Sequence, residues 1–333
     1  MGKSVELPIG EPFYGTYHFQ GLCGAVSSNC PSVKKWYINE AIQLVCNKIF
    51  LFGFSSPHLN VENSFWTQYP YFEKYIYPMR FLNDNVNVLI CELINNGYYV
   101  NFDGVDDYYL EGKTWYGKRH FCHDGLIFGY SEDEGTFSVY GYDSNWIYNK
   151  FKVKQESFTK GKLSMMNIGQ FGNVSAVKPM DVDVQIDPRR IYDGLKTYLE
   201  SSLEKYPMNC PGEAKGIVVH KYIIVYLDML YEGLIDYDKM DWRVFRMLWE
   251  HKTFMLERLK MLEEHLGFDS ICSDEYLNVV KKFNTMRALY SSHHQKRRDS
   301  TLPIIKSMLV EADEQEYKIL CEFVRRLEEV LEI

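Results

Sequence analysis

The stretch His123–Asp143, HDGLIFGYSEDEGTFSVYGYD, constrains this chain more than any other. Two short apolar runs, Leu126 to Tyr130 and Phe137 to Tyr142, flank the polar link Ser131-Glu132-Asp133-Glu134-Gly135. Apolar runs of strand length joined by a short, Gly-containing polar link predict a β-hairpin. A hairpin brings the chain back to its start, so the pattern predicts His123 and Asp143 side by side at one end of a sheet. A carboxylate beside an imidazole fixes its tautomer and supports its charged form. Such a pair lacks a nucleophile, and a cysteine at the head of a helix would supply one.

The cysteines stand at positions 23, 30, 46, 91, 122, 210, 272 and 321. They are scattered, and the N-terminal MGKSVELPIGEPF has no apolar signal core, which predicts reduced thiols and a cytoplasmic protein. The thiolate is the reactive form, and the unpaired N–H groups of a helix N-terminus favour it. Pro31 and Ser32 predict a helix start, followed by Ile38, Ile42, Val45 and Ile49 at helical spacing, hence a helix over about 31–47. Cys30, immediately before it, is the first candidate nucleophile. Cys23, in the extended or turning segment QGLCGAVSS, is the second. Cys46 and Cys91 fall within expected helices and read as packing residues.

A second helix is predicted over 83–96, stopped by Gly97, and a strand over 98–102. An acidic loop with Asp103, Asp106 and Asp107 follows, and beyond the hairpin Trp146 to Val153 alternates like a strand. After about residue 185 the pattern becomes helical. Pro188 opens a helix, and others are expected over about 213–232, 241–265, 274–290, 301–310 and 313–331. The chain therefore divides into a mixed α/β domain, 1–180, and a helical domain, 181–333. No apolar run is long enough for a membrane span. A net charge of −8 argues against a nucleic-acid partner.

The order of these parts, a Cys at a helix start, a His opening a strand and an Asp after the next strand, is similar to papain-like thiol enzymes. His-Asp-Gly-Leu-Ile-Phe-Gly-Tyr, 123–130, looks like their histidine strand, and Asp143 falls where that fold carries its Asn or Asp. A short papain-like domain followed by a helical half, with DWRVFRMLWEHK in it, more closely resembles the butirosin-biosynthesis acyltransferase family, with its closthioamide-type amide-forming relatives. The resemblance implies an α+β, papain-like catalytic domain and a thiol-dependent acyltransferase of peptide-like natural-product biosynthesis. It implies an acyl or peptidyl carrier protein as partner, whose phosphopantetheine arm presents the donor thioester, a small amine as acceptor, and no bound cofactor. Cys30 would attack the thioester, His123 would serve as base and Asp143 would orient it. The spacing around Cys30 departs from papain's Gln-to-Cys pattern, so Asn29 or the backbone N–H of Cys30 is the candidate oxyanion donor.

Other readings stand beside this one. The same triad would serve a cysteine peptidase or thioesterase, and a non-catalytic carrier-binding scaffold could keep the fold. Asp143 could be a turn residue in Tyr-Asp-Ser-Asn, and His120 is the fallback for His123. His120, Cys122 and His123 lack zinc-ligand spacing, so no metal is expected. The aromatic segments 62–77 and 107–116 are candidate walls for an acyl pocket. The basic run 293–298 reads as a solvated loop, and Glu250-His251-Lys252 as structural ion pairing within a helix.

Overall fold

The computed structural model describes residues 2–53, 55–64, 69–82, 85–210, 212–297 and 300–332, without the side chain of Cys23. In chain order the elements begin with β1 (Ser4–Glu6), α1 (His18–Ser27), α2 (Pro31–Glu40), β2 (Leu44–Asn47), β3 (His58–Val61), β4 (Phe72–Pro78), α3 (Val86–Asn95) and β5 (Tyr99–Asp106). There follow β6 (Cys122–Ser131), β7 (Thr136–Tyr142), β8 (Tyr148–Lys154), α4 (Gln155–Asn167), β9 (Asn173–Pro179) and α5 (Pro188–Leu199). The last are β10 (Glu213–Lys215), α6 (Val219–Tyr231), α7 (Arg243–Leu266), α8 (Ile271–Lys296) and α9 (Thr301–Leu331). The protein is α+β, with antiparallel sheets and a helical C-terminal region. It forms two compact units, Met1–Lys34 with Phe65–Asp183, and Lys35–Ser64 with Val184–Ile333.

The first unit is built on a seven-stranded sheet in the order β4-β9-β5-β6-β7-β8, with β1 pairing on β6. The predicted hairpin is β6–β7, with Ser131 opposite Thr136 and Leu126 opposite Tyr140. Gly135 turns it at φ +59°, a conformation glycine adopts without strain. On one face of the sheet Phe102, Ile127, Phe137 and Val139 bury against Val86 and Ile90 of α3 and Phe158 of α4. On the other, Tyr142 donates to the carbonyls of Gly15 and Thr16, and Tyr148 lies where any Cβ on Gly21 of α1 would stand. Covered on both faces, β6 is buried continuously from Gly125 to Tyr130, as its unbroken apolar run requires.

Strand β5 carries a bulge between Phe102 and Val105, where Gly104 takes φ +69° and packs onto Gly172. Past the bulge Val105 pairs with His123 and Asp106 with Cys122. A bulge re-aims the residues that follow it, and here those are Asp106 and Asp107.

The second unit corrects two sequence expectations. The helix expected over 31–47 ends at Glu40, and Leu44–Asn47 becomes a strand between β3 and β10. The apolar residues 42, 45 and 49 fit a helical period, but Leu44, Val45 and Cys46 are all buried, and strand pairing covers them. Residues 35–64 thus belong with the helical unit, which is not wholly helical. The two helices expected over 301–310 and 313–331 are one, α9, with Pro303 tolerated in its first turn. Pro188 opens α5, as the sequence predicts, and Asp187 caps it at the backbone N–H of Arg190.

Inside this unit lies a buried polar network. Lys252 Nζ stands 3.0 Å from Glu316 Oε1 and 2.9 Å from Oε2, and donates to Tyr198 Oη at 2.7 Å. Tyr276 donates to Glu316 at 2.6 Å. His220 pairs with Asp313 at 2.9 Å. Burial pushes Asp313 up, but the bond and charge of His220, with Lys221, outweigh it and hold the carboxyl at about 2. His251 donates to the carbonyl of Ile42 at 2.9 Å. The 250–252 triplet is thus structural, with Arg246 on Glu250 completing it.

Candidate active site

Two imidazoles meet in the first unit. His123 comes from the start of β6, and His18 is the first residue of α1. Their Nε2 atoms are 3.2 Å apart and their ring centroids 4.1 Å. Each ring has a carboxylate at its other nitrogen. His123 Nδ1 is 2.9 Å from Asp107 Oδ2, and His18 Nδ1 is bonded to Asp124 Oδ1. A carboxylate at Nδ1 places the proton there and leaves the lone pair on Nε2.

Lys113 underlies the pair. Its buried Nζ donates to the carbonyl of Asp124 at 2.9 Å, and lies 3.4 Å from His123 Nδ1 and 3.7 Å from Asp107 Oδ1. The Asp107 and Lys113 side chains are 2% and 1% exposed, whereas His18 and Asp124 are 22% and 26% exposed, so the site opens on the His18 side. Burial has the largest influence on His123 and lowers its pKa. The Asp107 bond pulls upward and the Lys113 charge downward, and the balance lies below an ordinary imidazole. For Asp124 burial pulls upward, but the bond to His18 and the charges of His18, His123 and Lys113 hold its carboxyl below the ordinary range.

Aromatic rings surround the imidazoles. Tyr142 lies 4.6 Å and Tyr148 6.2 Å from His18, and Phe121 lies 5.3 Å from His123. Trp115 links Phe121 to Trp146, and Trp146 reaches Tyr142 at 6.3 Å. Trp146 holds φ +60°, a left-handed conformation uncommon for a bulky residue, and is 46% exposed.

The sequence-derived residues fall as follows. His123 is central, and its hydrogen-bonded carboxylate is Asp107 rather than Asp143. The register of β6–β7 carries position 143 to the end of the hairpin near 123, but the Asp143 side chain turns into its own loop. It accepts from the backbone N–H groups of Asn145 at 2.8 Å and Ile147 at 3.1 Å. That loop offers fixed local donors, which is the turn role open to an Asp at such a position. Cys30 sits half-buried just before α2, as expected, and makes no hydrogen bond to His123. Its backbone N–H donates to the carbonyl of Ser27 at 2.9 Å and is therefore not free to hold an oxyanion. Asn29 is exposed in the α1–α2 turn. Cys23 is the sixth residue of α1, a helix rather than the extended or turning segment expected, and its side chain lies outside the described atoms.

Among the other thiols, burial pushes Cys91 up to about 11, and raises Cys46, Cys122 and Cys272 as well. His120 has its own partner, Asp106, at 2.6 Å, and stacks on Tyr108 at 4.4 Å. Of the expected pocket walls, 107–116 supplies Asp107, Lys113 and Trp115 to the site, and residues 65–68 of the 62–77 segment lie outside the described residues.

Sequence reasoning did not single out His18, Asp107, Lys113 or Asp124. The neighbouring aspartates 106 and 107, before the neighbouring histidines 120 and 123, were the available signal. No family model matches the chain, and no curated protein matches it.

Proposed function

We propose that the first unit transfers an acyl group from a thioester to an amine, with His123 as general base. The observation that carries this reading is the buried Asp107 carboxylate 2.9 Å from His123 Nδ1, which leaves the ring's lone pair on Nε2 to take a proton. In the proposed reaction the amine nitrogen bonds to the thioester carbonyl carbon while His123 Nε2 accepts the amine proton. The C–S bond then breaks, and the departing thiolate takes that proton back. The aromatic rings around His18 support an apolar acyl group held away from water, which would otherwise hydrolyse the thioester. The resemblance to the butirosin-type acyltransferases supports a carrier protein's phosphopantetheine as the donor arm.

Direct attack by the amine is supported by the group facing His123 Nε2 among the described atoms, which is His18 Nε2 at 3.2 Å; the Cys23 side chain lies outside those atoms. A second reading, through an acyl-cysteine on Cys30, is favoured by the place of that thiol just before the first turn of α2. In either reading the papain-like arrangement of helix, histidine strand and carboxylate is the frame.

The test is amide formation from an acyl-N-acetylcysteamine thioester, or an acyl-loaded carrier protein, and a panel of amines, followed by mass spectrometry. Direct transfer requires that His123→Ala abolish product, that Cys30→Ser retain it, and that no adduct form on protein. Loss of product in Cys30→Ser with a trapped adduct on Cys30 would replace it with the thiol route. Release of free acid alone would make the protein a thioesterase. Wild-type protein with neither product nor hydrolysis across the donors would end the acyl-transfer reading.

A further inference from the structure

The two imidazoles at the head of α1 present the same atom to each other. With each Nδ1 facing a carboxylate oxygen, Asp107 for His123 and Asp124 for His18, both neutral rings carry their lone pairs on Nε2. Two lone pairs 3.2 Å apart repel unless something positive lies between them. We propose that His18 and His123 bind a divalent transition-metal ion through their facing Nε2 atoms, with Asp124 completing a three-donor set, and that zinc is the ion the donors suit.

Spacing is the first argument. Zinc–nitrogen bonds of ~2.0–2.1 Å in a tetrahedral site put two ligand nitrogens about 3.3–3.4 Å apart. The observed 3.2 Å falls beside that value. The donor atoms of His18, His123 and Asp124 lie within 4.8 Å of one another, and closing all three on one ion moves Asp124 from His18 Nδ1 to the metal. Three protein donors leave a fourth position for water or another ligand.

The surroundings are the second argument. An imidazole that binds metal commonly donates its other N–H to a carboxylate, which fixes the ring and raises its basicity. Asp107, 2% exposed, stands in that place behind His123. Local charge agrees as well: Asp107 and Asp124 against Lys113 leave a net negative charge for a dication to neutralise. Imidazole with carboxylate selects zinc-like ions over magnesium or calcium, which prefer oxygen-only shells. His18 and Asp124, partly exposed, give the ion a way in.

The inference does not depend on acyl transfer. It opposes it on one point, because an Nε2 that holds zinc is no longer a base, so a loaded site would be inhibited.

The experiment uses the full chain, stripped with a chelator and titrated with zinc chloride by calorimetry near neutral pH. Cobalt(II) absorption serves as an independent readout of coordination in the unmutated protein. We expect one site per chain, with the intense visible bands of four-coordinate cobalt. His18→Ala and His123→Ala should each weaken binding by roughly 100-fold or more, Asp107→Asn by about 10–100-fold, and His120→Ala should leave it unchanged. Cobalt bands that are absent in the unmutated protein would overturn the proposal and leave a shared proton as the bridge between the rings. So would zinc binding that is equal in the unmutated protein and a folded His18→Ala, His123→Ala double variant. Either result is independent of whether amide product forms.

Discussion

Lys252 and Glu316 provide the sharpest test of what holds the helical unit together. Both side chains are fully buried, and the ammonium lies within 3.0 Å of both carboxylate oxygens. Burial pushes Lys252 below its ordinary value, while the Glu316 charge pulls it back up. Removing one member leaves the other charge in a medium that solvates it poorly. Lys252→Met preserves most of the volume and strands the carboxylate with the Tyr276 and Tyr198 hydroxyls, at 2.6 and 3.3 Å, and with His220 Nε2 at 3.7 Å. Breaking a buried pair this way costs about 3–5 kcal/mol. For a unit of this size each kcal/mol moves Tm by ~2–4 °C, so the transition should fall by roughly 6–20 °C. Lys252→Met with Glu316→Gln removes both charges and keeps an acceptor for the two tyrosines, so it should regain most of that loss. Urea unfolding followed by circular dichroism gives the free energies of the single and double variants. A Lys252→Met transition within 2 °C of the unmutated protein, or a double variant as unstable as the sum of the singles, would refute the account.

Other expectations follow from individual groups. His251 is fully buried, and burial, with Lys252 beside it, drives its pKa well below the ordinary 6.5. The unfolded chain therefore takes up a proton below pH 6.5 that the folded one refuses, and stability should fall with acidification by about 1.4 kcal/mol per pH unit. His251→Gln should flatten that slope in urea titrations between pH 6.5 and 5. The Cys91 thiol, pushed up to about 11 from 9.0, carries about 100-fold less thiolate than an ordinary thiol. Peptide mapping after brief iodoacetamide treatment at pH 7.5 should find half-buried Cys91 and buried Cys46 unmodified, and rapid labelling of either would contradict their raised pKa. Asp107→Asn should remove the Nδ1–H preference of His123 in imidazole nitrogen NMR, and should lower any amide-forming rate by about 10²–10⁴-fold. Asp143→Ala should leave that tautomer unchanged, and the reverse pattern would restore Asp143 as the orienting carboxylate.

The hairpin was legible because both of its signals are local: apolar runs of strand length and a Gly-containing polar link. The carboxylate that serves His123 was not, because it arrives from β5 on the other side of β6, through a bulge at Gly104 that shifts the register before Asp107. No spacing within the hairpin encodes that. The same limit applies to β2: residues 42, 45 and 49 have a helical period, and only pairing with Leu59 and Val61 and with Ala214, far along the chain, makes 44–47 a strand. Pro188, whose effect is on the residues that follow it directly, marks its helix start because that signal, like the hairpin's, is local.

His18 is the most instructive case. In GTYHFQGLCGA it belongs to no pattern, whereas the cysteines on either side of the next turn stand near a helix-start signal. Its role comes from two long-range facts: α1 lies close enough to the sheet that Gly21 meets Tyr148, and His123 projects toward its first turn. A Cβ at position 21 would meet the Tyr148 ring at 2.4 Å, so the small residue sets how near the helix head comes to β6. Among the described atoms the site places the His18 imidazole 3.2 Å from His123 Nε2, and Cys30 makes no hydrogen bond to that ring. A thiolate beside His123 would be stored as an ion pair and would form a covalent adduct. A second imidazole instead accepts a proton or a metal ion. Under the two proposals above, a proton or a metal ion between the two Nε2 atoms would decide whether His123 is available as a base, and position 18 supplies the second nitrogen.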